Sequence, residues 1–158
     1  MPVTPLHFGV LAPVNHFFPN KVSNVSFILA NLWIDQPAID SVLTGTPFPP
    51  HDAYHSFIAV GIILLALSGP GCRYPKWFWG VALGCYSHIL LDGMVHEDME
   101  PFAPFIKGNP LYLGILDPLS WFLILPTAWF IAQCVSGIRG WIQQCLALRL
   151  TGSNLAQK

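Results

Sequence analysis

Apolar runs separated by short polar punctuation organise this chain. Leu6 to Phe18 is apolar apart from His7, Asn15 and His16 and is interrupted by Pro13, before a turn at Pro19-Asn20-Lys21. Val22 to Ile34 reads as a second short helix that carries Asn24 and Asn31 and ends at Asp35. Both runs fall short of the ~20 residues a full bilayer span needs, so they predict short, tilted or protein-buried helices. Gln36 to Pro50, rich in Pro, Thr and Gly, predicts a loop. Tyr54 to Ser68 predicts a strongly apolar helix, Gly69 to Lys76 a tight basic turn, and Trp77 to Gly93 the next span. Met94 to Pro110 is an acidic, Pro-rich loop. Leu111 to Val135 is the last and longest span, with Pro126 predicting a kink. From Ile138 to Leu150, Arg139 and Arg149 stand beside Trp141, Ile142, Leu146 and Leu148, the pattern of an amphipathic helix lying on a membrane surface.

These elements predict an all-α fold, a polytopic membrane helical bundle. It has about five helices, two short N-terminal ones and three longer spans, followed by the C-terminal amphipathic helix. Residues 1–150 form a single transmembrane domain with an interfacial C-terminal helix, and 151–158 a polar tail. Composition strengthens this. Charged residues make up 9% of the 158, against ~25% in soluble domains, while hydrophobic residues reach 53%. A net charge of −1 gives no reason to expect a nucleic-acid partner. The N-terminus lacks a basic region and a small-residue cleavage site, so no removable signal peptide is expected. Cys72, Cys85, Cys134 and Cys145 lie far apart and read as small apolar thiols rather than as a disulfide or thiolate metal site.

Charge then orients the bundle. If the helices alternate in direction, Lys21, Arg73, Lys76, Arg139, Arg149 and Lys158 share one side, with only Lys107 opposite. The positive-inside rule makes that side cytoplasmic and predicts an inner-membrane protein with a cytoplasmic C-terminus. The same threading carries Asp35, Asp40, Asp52, Asp92, Glu97, Asp98, Glu100 and Asp117 to the outer end, together with every histidine except His16. In the stretch Ser87 to His96, His88 and Asp92 are four residues apart and so share a helix face. Gly93 is expected to end that helix and let His96 turn back towards the pair. An ionisable pair inside an apolar run is costly, which marks it as a functional candidate.

Imidazoles with carboxylates are the donors of zinc-type sites. Asp35, His55, His88 and Asp92 supply two of each from three helix ends; His7, His51 and His96 remain for a second metal or for supporting contacts. Asp92 could bridge two ions. Singly, each residue has a plainer reading. His7 suits an interface, and His51 and His55 suit a solvated helix entrance. His88 with Asp92 would make a hydrogen-bonded pair, and Asp117 could pair with Lys107. Asp35 at a helix C-terminus opposes the dipole and needs another reason to be there.

Five stretches, in order, resemble a known family. They are Thr4-Pro5-Leu6-His7-Phe8-Gly9, Ala30-Asn31-Leu32-Trp33-Ile34-Asp35, His51-Asp52-Ala53-Tyr54-His55-Ser56, Gly84 to Asp92, and His96 to Pro104 with Asn109-Pro110-Leu111. They are similar to the small membrane-bound metal-dependent hydrolases of bacteria and archaea, which include LexA-binding, inner-membrane-associated hydrolases. The resemblance implies a helical membrane bundle with a divalent-metal site, zinc above all, built from His7, Asp35, His51, His55, His88, Asp92 and His96. The His-x-x-x-Asp step is also similar to that of zinc-dependent phospholipase C, which implies phosphoester chemistry. One departure is visible: many members have Pro-Asp-x-Asp where this chain has Ile34-Asp35-Gln36-Pro37, so a carboxylate is missing unless Asp40 replaces it.

Three functions follow as expectations. The first is a membrane-embedded metal-dependent hydrolase acting on phosphoester or lipid-like substrates, with membrane lipid as its partner and its site at the periplasmic or outer face. No single catalytic residue is assigned. The second is a non-catalytic accessory subunit of a larger membrane complex that keeps the family fold. The third is a haem or chlorophyll-type pigment on His88, against which the carboxylate one turn away argues.

Overall fold

The computed structural model describes the backbone of residues 4–47, 55–114 and 116–155, and the side chains of 6–47, 55–114 and 122–146. A 3-10 segment, Thr4–Val10, leads into α1 (Leu11–Phe17). Then follow α2 (Asn24–Ile34), α3 (Gln36–Thr44), α4 (Phe57–Arg73), α5 (Pro75–Val95) and α6 (Leu116–Leu155). No strand occurs among the described residues, so the fold is all-α.

Local chemistry sets most boundaries. The Ser23 hydroxyl accepts the Ser26 N–H at 3.3 Å and opens α2, and Ser56 does the same for Ala59 at 3.1 Å to open α4. Gly45, at φ 68°, supplies the left-handed residue that closes α3. Tyr74 precedes Pro75, and a residue before proline is disfavoured in the α region. It adopts φ −129° and ψ 63°, which separates α4 from α5.

Several boundaries differ from those the pattern predicts. The expected loop from Gln36 holds α3, because Pro37 in a first turn is compatible with a helix and only Gly45 stops it. The expected turn at Gly69-Pro70-Gly71 is instead part of the end of α4, which runs to Arg73 and leaves only Tyr74 before Pro75. Gly93 does not end α5; it is buried against Leu111, and the helix continues to Val95. There is also no separate helix at 138–150, since α6 runs unbroken from Leu116 to Leu155. Ser136-Gly137 is too weak a breaker: a glycine costs a helix only about 1 kcal/mol.

α5 is the axis of the bundle. α2 packs against it over its whole length, with α4 on another flank and the 3-10 segment near its C-terminal end. α2 and α5 run parallel and in step. Ser23 N–H donates to Lys76 O at 3.0 Å, the Ser26 hydroxyl donates to Trp77 O at 3.0 Å, and Asn31 meets His88. Two glycines allow the approach. A Cβ on Gly80 would lie 2.6 Å from Ser23 O, and one on Gly84 would lie 2.8 Å from Phe27 O. Both are closer than side-chain carbons come, so the helices can meet only through bare backbone. Gly80, Gly84, His88 and Asp92 are spaced by four and form one stripe. The close contact at Gly80 and Gly84 therefore fixes where His88 and Asp92 point.

Ala30, Ile34, Val60, Leu64, Ala82, Cys85, Ile89 and Met99 make the core shared by α2, α4 and α5. Leu11, Ala12 and Phe27 join Phe130 of α6 in a second cluster. α6 rests on the 3-10 segment and α1, where the Thr127 hydroxyl donates to Leu6 O at 3.1 Å. Among the described residues, two segments are long and apolar enough to cross a membrane. They are Pro75–Val95, with mean hydropathy 1.2, and Phe122–Leu146, with mean hydropathy 1.4. They differ in setting: half of the first is buried in protein, but only 11% of the second.

Candidate metal centre

The C-terminal ends of α2 and α5, the start of α4 and the 3-10 segment meet at one end of the bundle. There, one ligand atom from each of Asp35, His55, His88 and Asp92 lies within 4.8 Å of every other. His55, His88 and Asp92 are buried; Asp35 is the most open, its side chain 14% exposed. Nε2 of His88 stands 3.0 Å from Asp92 Oδ2 and 3.2 Å from Asp35 Oδ1. Ligand atoms around a tetrahedral zinc, each about 2.0–2.1 Å from the ion, sit roughly 3.3 Å apart. The two His88 contacts are close to that spacing, while the full set of four lies within 4.8 Å.

The orientation of His88 carries the stronger argument. Its Nδ1 lies 3.0 Å from Asn31 Oδ1, and Asn31 Nδ2 donates to Phe27 O at 2.9 Å. That second bond sets the amide so that its oxygen faces the ring, and His88 must donate from Nδ1. The other ring nitrogen then faces two carboxylate oxygens, and carboxylates this close together need a positive charge beside them. A proton on Nε2 supplies one, and so does a metal ion. The four side chains form a group that could hold such an ion. The Asn31–His88 contact is the outer hydrogen bond that metal-ligating histidines ordinarily make.

His7 joins from the 3-10 segment. It is 1% exposed, stacks on His88 with ring centroids 4.5 Å apart, and places Nε2 3.1 Å from Asp92 Oδ1. Neither its nitrogens nor Asp92 Oδ1 has an aligned hydrogen bond. Asp92 thus turns one oxygen to His88 and the other to His7. Asp35 sits where α2 ends and α3 begins, and its side chain caps neither. The α3 N-terminus offsets the α2 C-terminus, so the dipole objection to a carboxylate there loses force.

The other expected residues fall elsewhere. His51, with Asp52, lies outside the described residues. His96 follows α5, and its backbone N–H donates to Asp92 O at 2.8 Å; its side chain is not one of the four gathered donors. The Asp117 backbone is in the first turn of α6, and its side chain lies outside the described residues. Two contributors escaped the sequence reading. Asn31 is one, and its signal was a second i,i+4 polar pair, Asn31 with Asp35, matching His88 with Asp92. Asn109 is the other. Its Nδ2 donates to Gly93 O at 2.7 Å and His96 O at 2.6 Å, tying down the end of the helix that carries the site.

No family model, curated protein or solved structure matches this chain.

Proposed function

We propose that the protein is a membrane-embedded metal-dependent hydrolase, with Asp35, His55, His88 and Asp92 holding one divalent cation, zinc by the chemistry of the donors. The observation that carries this is the convergence of the four side chains, with His88 Nε2 turned by the Asn31 contact towards two carboxylates. Held by these four residues, a divalent ion would supply an acidified water, its pKa lowered towards ~7, and polarisation of the ester under attack. The chain's own part is to fix His88 through Asn31, to steady Asp92 between His88 and His7, and to leave the centre most open beside Asp35. Substrate approaches there. The resemblance to membrane-bound metal-dependent hydrolases points the same way and favours a phosphoester.

The membrane setting is supported by α6. Phe122, Leu125, Ile131, Ile138 and Trp141 are all more than half exposed along one helix, more apolar surface than a water-soluble domain leaves bare. Lys21 and Lys76 line one cavity at the end of the α2–α5 pair remote from the metal centre. With that end cytoplasmic, the centre faces the periplasmic or outer side of the inner membrane, where lipid headgroups lie.

Elemental analysis of the detergent-purified protein tests the proposal, alongside hydrolysis of a chromogenic phosphodiester and of phospholipid vesicles. The wild type is expected to carry a divalent metal, and His88→Ala with Asp92→Asn to lose metal and turnover together. Equal metal content in wild type and double variant overturns the assignment. The exposed face of α6 also favours a second reading, an accessory subunit of a larger membrane complex. Co-purification with a partner at fixed stoichiometry, without metal, would select it.

A further inference from the structure

Next to the metal centre, α2, α4 and α5 enclose a groove of about 330 Å³, whose lining includes Trp33, Val60, Leu67, Trp77, Val81 and Cys85. No charged side chain lines it. Its single hydroxyl, on Ser26, is already committed to Ser23 O and Trp77 O at 3.1 and 3.0 Å. A second cavity of about 170 Å³ shares Leu67, Trp77 and Val81 and continues to Pro70 and Tyr74, at the α4–α5 turn. The rim is apolar and half open: Trp33, Leu67 and Trp77 are exposed to the side of the bundle. At its other end the lining stops at Cys85, three residues and about 4.5 Å of helix short of His88.

Shape decides the occupant. Spread over the ~12 Å of α5 from Trp77 to Cys85, 330 Å³ gives a cross-section of roughly 27 Å². A helix about 10 Å across needs roughly three times that, so a second copy or a partner helix could cover the open side but not enter the groove. A polar chain would leave its own groups unpaired against these walls. The charge pattern agrees, because an uncharged slot runs towards the end of the bundle where four candidate ligands gather, and a cation held there attracts phosphate or carboxylate oxygens. We propose that the groove holds one hydrocarbon chain of a membrane lipid whose anionic headgroup reaches the metal centre. The headgroup half rests on the hydrolase reading; the chain half does not. At about 30 Å³ per methylene, close to a water's share of volume, the main cavity takes roughly ten carbons. The smaller one takes the tail of a longer chain.

The full chain is reconstituted in vesicles of phosphatidylglycerol and phosphatidylethanolamine that carry a palmitoyl chain with a terminal diazirine. After irradiation, labelled residues are mapped by peptide mass spectrometry. Labelling at Leu67, Trp77 and Val81 is expected to exceed that on the exposed α6 face, Phe122 to Leu146, by about tenfold. Leu67→Trp, which fills the junction of the two cavities, should remove the excess and leave α6 labelling unchanged. Ile63→Trp gives the same readout should the first variant fail to fold. Equal labelling of groove and α6 overturns the groove, whatever the metal content. Groove labelling in a protein that binds no metal overturns the headgroup contact and the hydrolase reading with it, and upholds the chain site.

Discussion

Asn31 Oδ1 and His88 Nδ1 lie 3.0 Å apart with both side chains fully buried, and this contact between parallel helices fixes the face that His88 turns to the site. Each residue also begins an i,i+4 pair whose second member is a carboxylate, Asp35 or Asp92. The two helices therefore present matching halves of one centre.

Asn31 is accordingly a positioning residue, and Asn31→Ala should weaken metal binding by about 10–100-fold while the helical content stays unchanged. Competition against a chromophoric zinc chelator measures this. Asn31→Asp, which keeps the acceptor for Nδ1, is expected to recover part of the loss. Equal affinity in wild type and Asn31→Ala would remove Asn31 from the site.

Metal should also hold the bundle together, because the donors come from segments distant in sequence. At a free zinc concentration a hundred times Kd, linkage contributes about 2.7 kcal/mol to stability. Excess chelator should therefore lower the Tm of the wild type, and added zinc should restore it. The same additions should leave the Tm of His88→Ala unmoved. Thermal unfolding in detergent, followed by circular dichroism, makes the comparison.

Gly84 tests whether the close helix contact sets the site. Its added Cβ would lie 2.8 Å from Phe27 O and 3.0 Å from Ala30 Cβ, both inflexible. Gly84→Ala should cost about 1–3 kcal/mol, and Gly84→Val more, with metal affinity falling in parallel. Gly69→Ala and Gly137→Ala meet nothing within 4 Å and serve as controls. They should be neutral or stabilising by up to about 1 kcal/mol.

Orientation can be read from a natural thiol. Cys72 is exposed in the last turn of α4, beside Arg73, at the end remote from the site. In a variant with the other three cysteines replaced by serine or alanine, an impermeant maleimide should spare Cys72 in intact cells and label it in inverted vesicles. The opposite pattern would put the metal centre on the cytoplasmic side.

Amino-acid order alone determined the helical class and offered seven candidate ligands, among them the four side chains that the fold gathers. Both follow from one-dimensional physics: unbroken apolar runs must satisfy their backbone as helices, and a carboxylate or imidazole in such a run needs a compensating partner. Pattern served less well where a breaker stood in a tolerant place. Gly93 and Ser136-Gly137 stayed helical because neighbouring residues outweighed a small propensity cost, and Pro37 opened a helix instead of ending one. Tertiary structure decided that α2 and α5 run parallel and in step, and that Asn31 orients His88. It also placed Asp92 between two imidazoles. Such facts depend on which glycine faces which backbone oxygen across a helix interface, a distance that no spacing along one chain encodes.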